Sequence, residues 1–253
     1  MNIEIFGGGE RTLAAGRIFS QSELDIENVK IFPVPTTLDG ERIVGTEKSL
    51  SDISEKINKD SFVIGYGFPK RIKEDFEGRG VRYYDGANDE DFLVENAYIT
   101  AVGALRYALD TMQKIPRDTS FGIIGYGRIG SALFRLLSFF EARVRVFSRK
   151  KLTRIELGSH GIESSELIDE NGVAADVSDI EMLFNTAPTD LSSLFPKKSL
   201  PSGTRVIDLA SGDSFPGVVG VEYLPSLPGR MYPTSAGVAY ARCAIRSLSF
   251  KNE

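Results

Sequence analysis

The sequence predicts an α/β fold built as two parallel-sheet domains. Two observations carry that reading. Twice, a short apolar strand runs into a glycine-rich turn that opens a helix: Asn2–Phe6 into Gly7-Gly8-Gly9-Glu10-Arg11, and Phe121–Ile124 into Gly125-Tyr126-Gly127-Arg128-Ile129-Gly130. After each start, strand-like runs alternate with helical stretches, a pattern that feeds a mostly parallel sheet, and two starts imply two sheets.

The elements follow in order. The first helix reads to about Ser20, and Val29–Phe32, Ser61–Ile64 and Gly80–Tyr84 are short strands bounded by turn residues. Asn88–Lys114 is the longest helical signal, with Leu93, Ala97, Thr100, Ala101, Ala104, Leu105 and Leu109 at three- and four-residue spacings. Asp89, Glu90 and Asp91 lie at its amino end, where the helix dipole favours anions, and Ile115-Pro116 ends it. Such a helix between two strand sets reads as a domain connector. A helix through Phe140 follows the second glycine turn, and Arg143–Phe147, Met182–Asn185, Thr204–Leu209 and Val218–Tyr223 read as strands. The last helix, from about Thr234 to Leu248, is long enough to return to the first domain. The expected division is 1–95, completed by 234–253, and 96–233.

Composition narrows the chemistry. The 253 residues hold one cysteine, one histidine and no tryptophan. Cys243 has no partner for a disulfide, which points to a reducing cytoplasm, and clustered Cys/His metal sites cannot be assembled. A formal charge of −5 argues against a general nucleic-acid binder. No run approaches the roughly 20 apolar residues of a membrane span, and Met1–Phe6 reads as a buried strand, so a cytoplasmic protein is expected. His160, in Gly158-Ser159-His160-Gly161, reads as a peripheral loop residue, and Cys243 as packing in the last helix. No catalytic group is assigned from the sequence.

Gly125–Gly130 is G-x-G-x-x-G in its full context: after an apolar strand, opening a helix, followed by another strand. Gly125 permits the tight turn, Gly127 lets backbone approach a pyrophosphate, and Gly130 brings the helix close to the sheet. Free N–H groups at the helix start then hold the phosphates. This makes the second domain a Rossmann dinucleotide-binding domain. An NAD site places a carboxylate about 20 residues on, at the end of the second strand. Here that strand ends in Ser148-Arg149-Lys150-Lys151, a hydroxyl followed by three cations suited to a 2′-phosphate. NADP is expected over NAD.

Short blocks along most of the chain resemble one family. Gly7-Gly8 with Arg11 is similar to its GGDxR turn, and Asn96, Thr100 and Gly103 to its N-x-x-x-T-x-x-G helix start. Asn185-Thr186-Ala187-Pro188 resembles its NTxP strand end, and Asp208-Leu209-Ala210-Ser211 its DLAS. Leu227-Pro228-Gly229, with Pro233, Ala236 and Gly237, resembles its LPG…P-x-x-AG block. The family is the A subunit of dipicolinate synthase, similar in layout to D-2-hydroxyacid dehydrogenases. The resemblance implies NADP-dependent oxidation of a dihydrodipicolinate-type ring to dipicolinate during sporulation, beside a second synthase subunit. Where it implies charged side chains, this chain holds Gly9, Val102 and Thr234 or Ser235.

Ligands in such layouts bind beyond the carboxyl ends of strands. The substrate-side candidates are Arg11, Asn96, Thr100, Ser211 and Arg230, the arginines being suited to bidentate carboxylate contact. Four of them have a plainer reading: a surface salt bridge for Arg11, capping or helix packing for Asn96 and Thr100, a flexible loop for Arg230. Tyr66, after the third strand, reads as core or as a phenol at the ligand site. The cofactor set is Gly125, Tyr126, Gly127, Arg128, Ile129, Gly130, Ser148, Arg149, Lys150, Thr186, Ala187 and Pro188. The leading function is oxidation of a small cyclic dicarboxylate. A non-catalytic NADP-binding sensor or supporting subunit, and an oxidoreductase for another small acid, stay open. Homo-oligomers are compatible with the fold.

Overall fold

Short strands and intervening helices do build parallel sheets here, and there are two of them. The computed structural model describes residues 1–169 and 174–249. The chain divides into one unit of Met1–Ile99 with the segment from Pro228 onwards, and a second of Thr100–Leu227.

The first unit holds β1 (Asn2–Ile5), α1 (Glu10–Ser20), β2 (Asn28–Ile31), α2 (Leu50–Ser54), β3 (Ser61–Gly65), α3 (Lys70–Gly78) and β4 (Arg82–Asp85). Its four strands are parallel in the order β1-β2-β3-β4. Ile5, Ile31, Ile64 and Tyr84 stand opposite one another across the sheet. Every residue of β3 is buried, as expected of a strand covered on both faces. On one face Ala15 and Phe19 of α1 and Tyr240, Ala241 and Ala244 of the last helix pack against Ile31, Ile64 and Tyr84. On the other, Leu50, Ile72 and Phe76 pack against Val63 and Phe32.

The long helix α4 (Glu90–Thr111) contains the boundary between the units. The Asp89 carboxylate accepts from the N–H groups of Asp91 and Phe92, so it caps the helix as well as favouring its dipole. The second unit then runs β5 (Ser120–Ile124), α5 (Arg128–Phe139), β6 (Arg143–Phe147), α6 (Lys151–Ser159), β7 (Ser164–Ser165), β8 (Met182–Asn185), β9 (Arg205–Asp208) and β10 (Glu222–Tyr223). The sheet order is β10-β9-β8-β5-β6-β7, all parallel. The chain moves outward from β5 on one side, then returns to lay β8 on the other. That reversal makes the carboxyl ends of β5 and β8 a topological switch point, where dinucleotides bind in doubly wound sheets.

The chain ends in α7 (Leu227–Met231) and α8 (Pro233–Ser249), and α8 does return to the first unit. It crosses α1 closely at Gly237, where a Cβ would stand 2.5 Å from the Arg11 carbonyl oxygen and 2.6 Å from Ala14 Cβ. Three expectations are corrected. The run Val218–Tyr223 is a strand only at Glu222–Tyr223, because Gly220 turns the chain with φ +93°. Arg230 lies on α7, not in a flexible loop. The surface salt bridge offered for Arg11 is not found among the described residues, and its side chain is buried, not at the surface.

Glu222 braces this unit. Arg205 donates to both of its carboxylate oxygens at 2.8 Å, and the Tyr107 hydroxyl donates to one at 2.7 Å. Burial alone would push this carboxyl up, but the bonds from Arg205 and Tyr107 outweigh it and hold it below the usual range. Stability from such a lowered group is present above its unfolded pKa and is lost as pH falls through the folded one. Glu222→Gln should therefore lower stability by about 1 kcal/mol at pH 7. The gap from the wild type should close below about pH 4. Denaturant unfolding at the two pH values checks it.

Among the described residues, no helix is long and apolar enough to cross a membrane, and no group of three or more His, Cys, Asp or Glu is placed to hold a metal.

Candidate functional site

The glycine turn stands at the switch point. Gly125 leaves β5 with φ +88°, in the left-handed region that glycine adopts freely, and its N–H donates to the Phe147 carbonyl at 2.9 Å. Gly127 is the N-cap of α5 and supplies no side-chain bond to the helix start. Gly127 therefore leaves the start of α5 without a cap from its own side chain, in the favourable end of the dipole. A Cβ on Gly127 would meet nothing within 4 Å, so this is the open side of the turn. A Cβ on Gly130 would lie 2.1 Å from the Gly125 carbonyl oxygen, so helix and turn are in contact there.

Thr186, at the end of β8, supports the turn from beneath. Its hydroxyl donates to the Ile124 carbonyl at 2.9 Å and lies 3.3 Å from the Gly125 carbonyl oxygen. The Asn185 amide donates to the Asp208 carboxylate at 2.8 Å and to the Ala187 carbonyl at 3.1 Å, while its oxygen accepts from Ala187 N–H. Asp208 also accepts from Ala210 N–H. Asn185 and Asp208 are buried, so this network sets the path of Thr186-Ala187. Pro188 is exposed, as are Gly127 and Arg128; Tyr126 is partly buried against Phe134, edge to face at 6.1 Å.

The loop after β6 is similarly organised. Ser148 is buried; its N–H donates to the Ser165 carbonyl and its hydroxyl accepts from Lys150 N–H at 3.3 Å. Arg154 donates to the Ser148 carbonyl at 2.6 Å and pairs with Glu166 at 3.0 Å. Arg149, Lys150 and Lys151 remain exposed on this fixed turn. Arg154 carries no motif signal; only folding shows that it holds the loop.

Of the substrate-side residues, Arg11, Asn96 and Arg230 belong to the first unit, Thr100 and Ser211 to the second. Arg11 and Asn96 are brought together: Arg11 Nη2 donates to Asn96 Oδ1 at 2.9 Å. The guanidinium lies 5.4 Å from the Phe92 ring centre and 5.8 Å from that of Tyr240. Arg230 is exposed, while Gly229 beside it approaches the Arg11 side chain. Thr100 is buried and Ser211 exposed. Tyr66 is partly buried, edge-on to Phe92 at 6.0 Å. His160 is the exposed C-cap residue of α6, and Cys243 is buried, which pushes its thiol up.

No protein-family model matches the chain. Over 173 residues it is 26% identical to the A subunit of dipicolinate synthase from Bacillus subtilis (strain 168), covering 63% of this chain. The chain resembles the A subunit of dipicolinate synthase. The sequence match spans about half, 55%, of the length of that relative. In fold, the A subunit of dipicolinate synthase from Bacillus halodurans superposes with a TM-score of 0.76 at 20% identity, over 98% of this chain and 97% of that one. The D-isomer specific 2-hydroxyacid dehydrogenase of Lactobacillus delbrueckii ssp. bulgaricus, in its NAD-complexed form, gives 0.53 at 10% identity, over 100% and 97%. The resemblance to the dipicolinate synthase A subunits and the two-sheet Rossmann-type fold read from the sequence are thus borne out.

Proposed function

We propose that this chain is an NADP-dependent oxidoreductase that oxidises a small cyclic dicarboxylate of the dihydrodipicolinate type. The observation that carries the cofactor half is the uncapped start of α5, opened by a glycine turn at the switch point of the second sheet. First-turn N–H groups of α5 would hold the pyrophosphate, Gly127 would admit it, and Thr186 would keep the turn from shifting. Ala187 and Pro188 would line the nicotinamide side, with Tyr126, Arg128 and Ile129 around the phosphates. Ser148, Arg149 and Lys150 would receive a 2′-phosphate, on a loop held in shape by Arg154. Bound NADP supplies a hydride acceptor. Ring oxidation gives up a hydride and a proton and ends in an aromatic ring, so it needs little acid/base help. That suits a chain whose one histidine is an exposed helix cap.

On the first unit the cations Arg11 and Arg230 would take carboxylates, with Asn96 as a polar contact; Thr100 and Ser211 are the polar candidates of the second unit. A second synthase subunit is the proposed partner, and sporulation the proposed setting. Arg149→Glu should shift the NADP/NAD preference ten- to hundredfold, the worth of one charge-assisted bond of about 1.5–3 kcal/mol. Dissociation constants for NADPH and NADH measure it, and an unchanged ratio would sink the NADP assignment.

Gly9 and Val102 stand where the resemblance implies charge, and this favours a second reading as a non-catalytic NADP-binding subunit. Enzymatically generated dihydrodipicolinate, with NADP and the partner subunit present, separates the two. Formation of NADPH supports the oxidoreductase; cofactor binding without NADPH formation selects the binding subunit.

A further inference from the structure

No motif marks Glu166, yet the fold carries its carboxylate to the carboxyl end of the second sheet. It directly follows β7, which pairs with β6 so that Val146 stands opposite Ser164 and Phe147 opposite Ser165. The Ser148 N–H donates to the Ser165 carbonyl at 3.0 Å, so the two strand exits are tied together. In a doubly wound sheet, the exit of the second strand is where an NAD site places the carboxylate that accepts from the ribose 2′-hydroxyl. That strand, β6, here runs out into Ser148. A carboxylate arrives instead from the neighbouring strand.

Arg154, in the first turn of α6, covers it. Nη2 pairs with Glu166 Oε2 at 3.0 Å, and Nη1 donates to the Ser148 carbonyl at 2.6 Å. The Arg154 carbonyl accepts from the Ser164 hydroxyl at 3.2 Å, so backbone and side chain of this residue are both held. The Arg154 and Glu166 side chains are 20% and 40% exposed, and an ion pair this open adds little stability. Its consequence is local electrostatics. The guanidinium occupies a carboxylate oxygen that could accept a hydroxyl, and offsets a charge that would oppose a phosphate. The first turn of α6 also holds Lys151 and no acidic residue, the sign opposite to the one its dipole favours. A bound anion would reverse that mismatch.

We propose that Glu166 is a specificity-determining residue for the dinucleotide, kept in its NADP setting by Arg154. With the pair made, a 2′-phosphate meets Ser148, Arg149 and Lys150 without opposition. With the pair broken, Glu166 accepts the 2′-hydroxyl of NAD and repels the phosphate. Arg154 is a positioning residue, acting through Glu166 and the Ser148 carbonyl. The assignment rests on the dinucleotide site proposed above. A plain brace for the loop behaves differently: its loss weakens both dinucleotides alike.

Dissociation constants of NADPH and NADH, measured by titration calorimetry on the whole chain, test it, with Tm taken for each variant. Arg154→Met should swing the preference about tenfold or more towards NADH, the worth of one charge-assisted bond. Glu166→Gln should tighten NADPH about threefold to tenfold and leave NADH no tighter, since Arg154 keeps its bond to Ser148 and loses its counter-charge. The double variant has no exposed carboxylate and should return the preference to within about threefold of the wild type, although the brace is gone. Equal weakening of both dinucleotides by Arg154→Met would overturn the proposal. So would failure of the double variant to restore the preference, or unchanged NADPH affinity in Glu166→Gln, which decides alone if Arg154→Met does not fold. The swing is read relative to the wild type, whichever dinucleotide that favours, so it survives a failed NADP assignment. A wild type that binds neither dinucleotide overturns the cofactor site and this proposal together; binding with an unmoved preference overturns this proposal only.

Discussion

Gly130→Ala should abolish dinucleotide binding, lowering affinity for NADPH a hundredfold or more, which is about 3 kcal/mol. The added Cβ would stand 2.1 Å from the Gly125 carbonyl oxygen, and that atom is backbone, so no side chain can swing aside. Either α5 or the turn must shift by more than an ångström, and the same oxygen lies against the Thr186 hydroxyl beneath. Gly127→Ala is the informative companion. Its Cβ would meet open space, so the fold should tolerate it, yet it would stand where a pyrophosphate must approach. The expected pattern is a lower Tm and lost binding for Gly130→Ala, against an unchanged Tm and weakened binding for Gly127→Ala. Equal Tm losses, or unchanged NADPH binding in both, would remove the turn from the cofactor site.

Asp208→Ala should be the most destabilising of the substitutions considered. The carboxylate is 3% exposed and accepts from the Asn185 amide and the Ala210 N–H. Removing it strands a buried backbone donor and half-satisfies an amide that is fully buried. Together these cost about 3 kcal/mol. For a chain of this size that is a fall in Tm of roughly 6–12 °C. Asp208→Asn keeps an acceptor in place and should cost about a third as much. Urea unfolding of the two variants decides whether the network is structural support for the strand ends or merely adjacent to them; equal losses would mean that the charge, not the bonding, is what matters.

Much of this molecule is legible from local pattern. Apolar runs of four or five residues between turn residues place most of the strands, and glycine spacing after β5 marks the dinucleotide turn, because strand, turn and helix start are contiguous in the chain. The returning helix is visible from its length. Short elements are harder. In α3, the run Lys70–Gly78 has only Ile72 and Phe76 buried, one turn apart, and charge hides them. The run Val218–Tyr223 reads as a strand until Gly220 adopts φ +93°.

The two groups that shape the candidate sites most strongly are not visible in this way. Arg154 reveals its role only when its guanidinium reaches the Ser148 carbonyl, which depends on how α6 leaves β6. Arg11 reads equally as a surface salt bridge or a ligand, and only folding brings Asn96, 85 residues away, and Tyr240 of the last helix around it. By itself, then, the sequence determined the order of elements, the two sheets and the glycine turn, since these follow from periodicity and steric rules acting over a few residues. The tertiary structure alone decided that Arg11 is buried, with no carboxylate among the described residues paired to it. Desolvation is the sum of everything packed around a charge, and no stretch of neighbouring residues contains it.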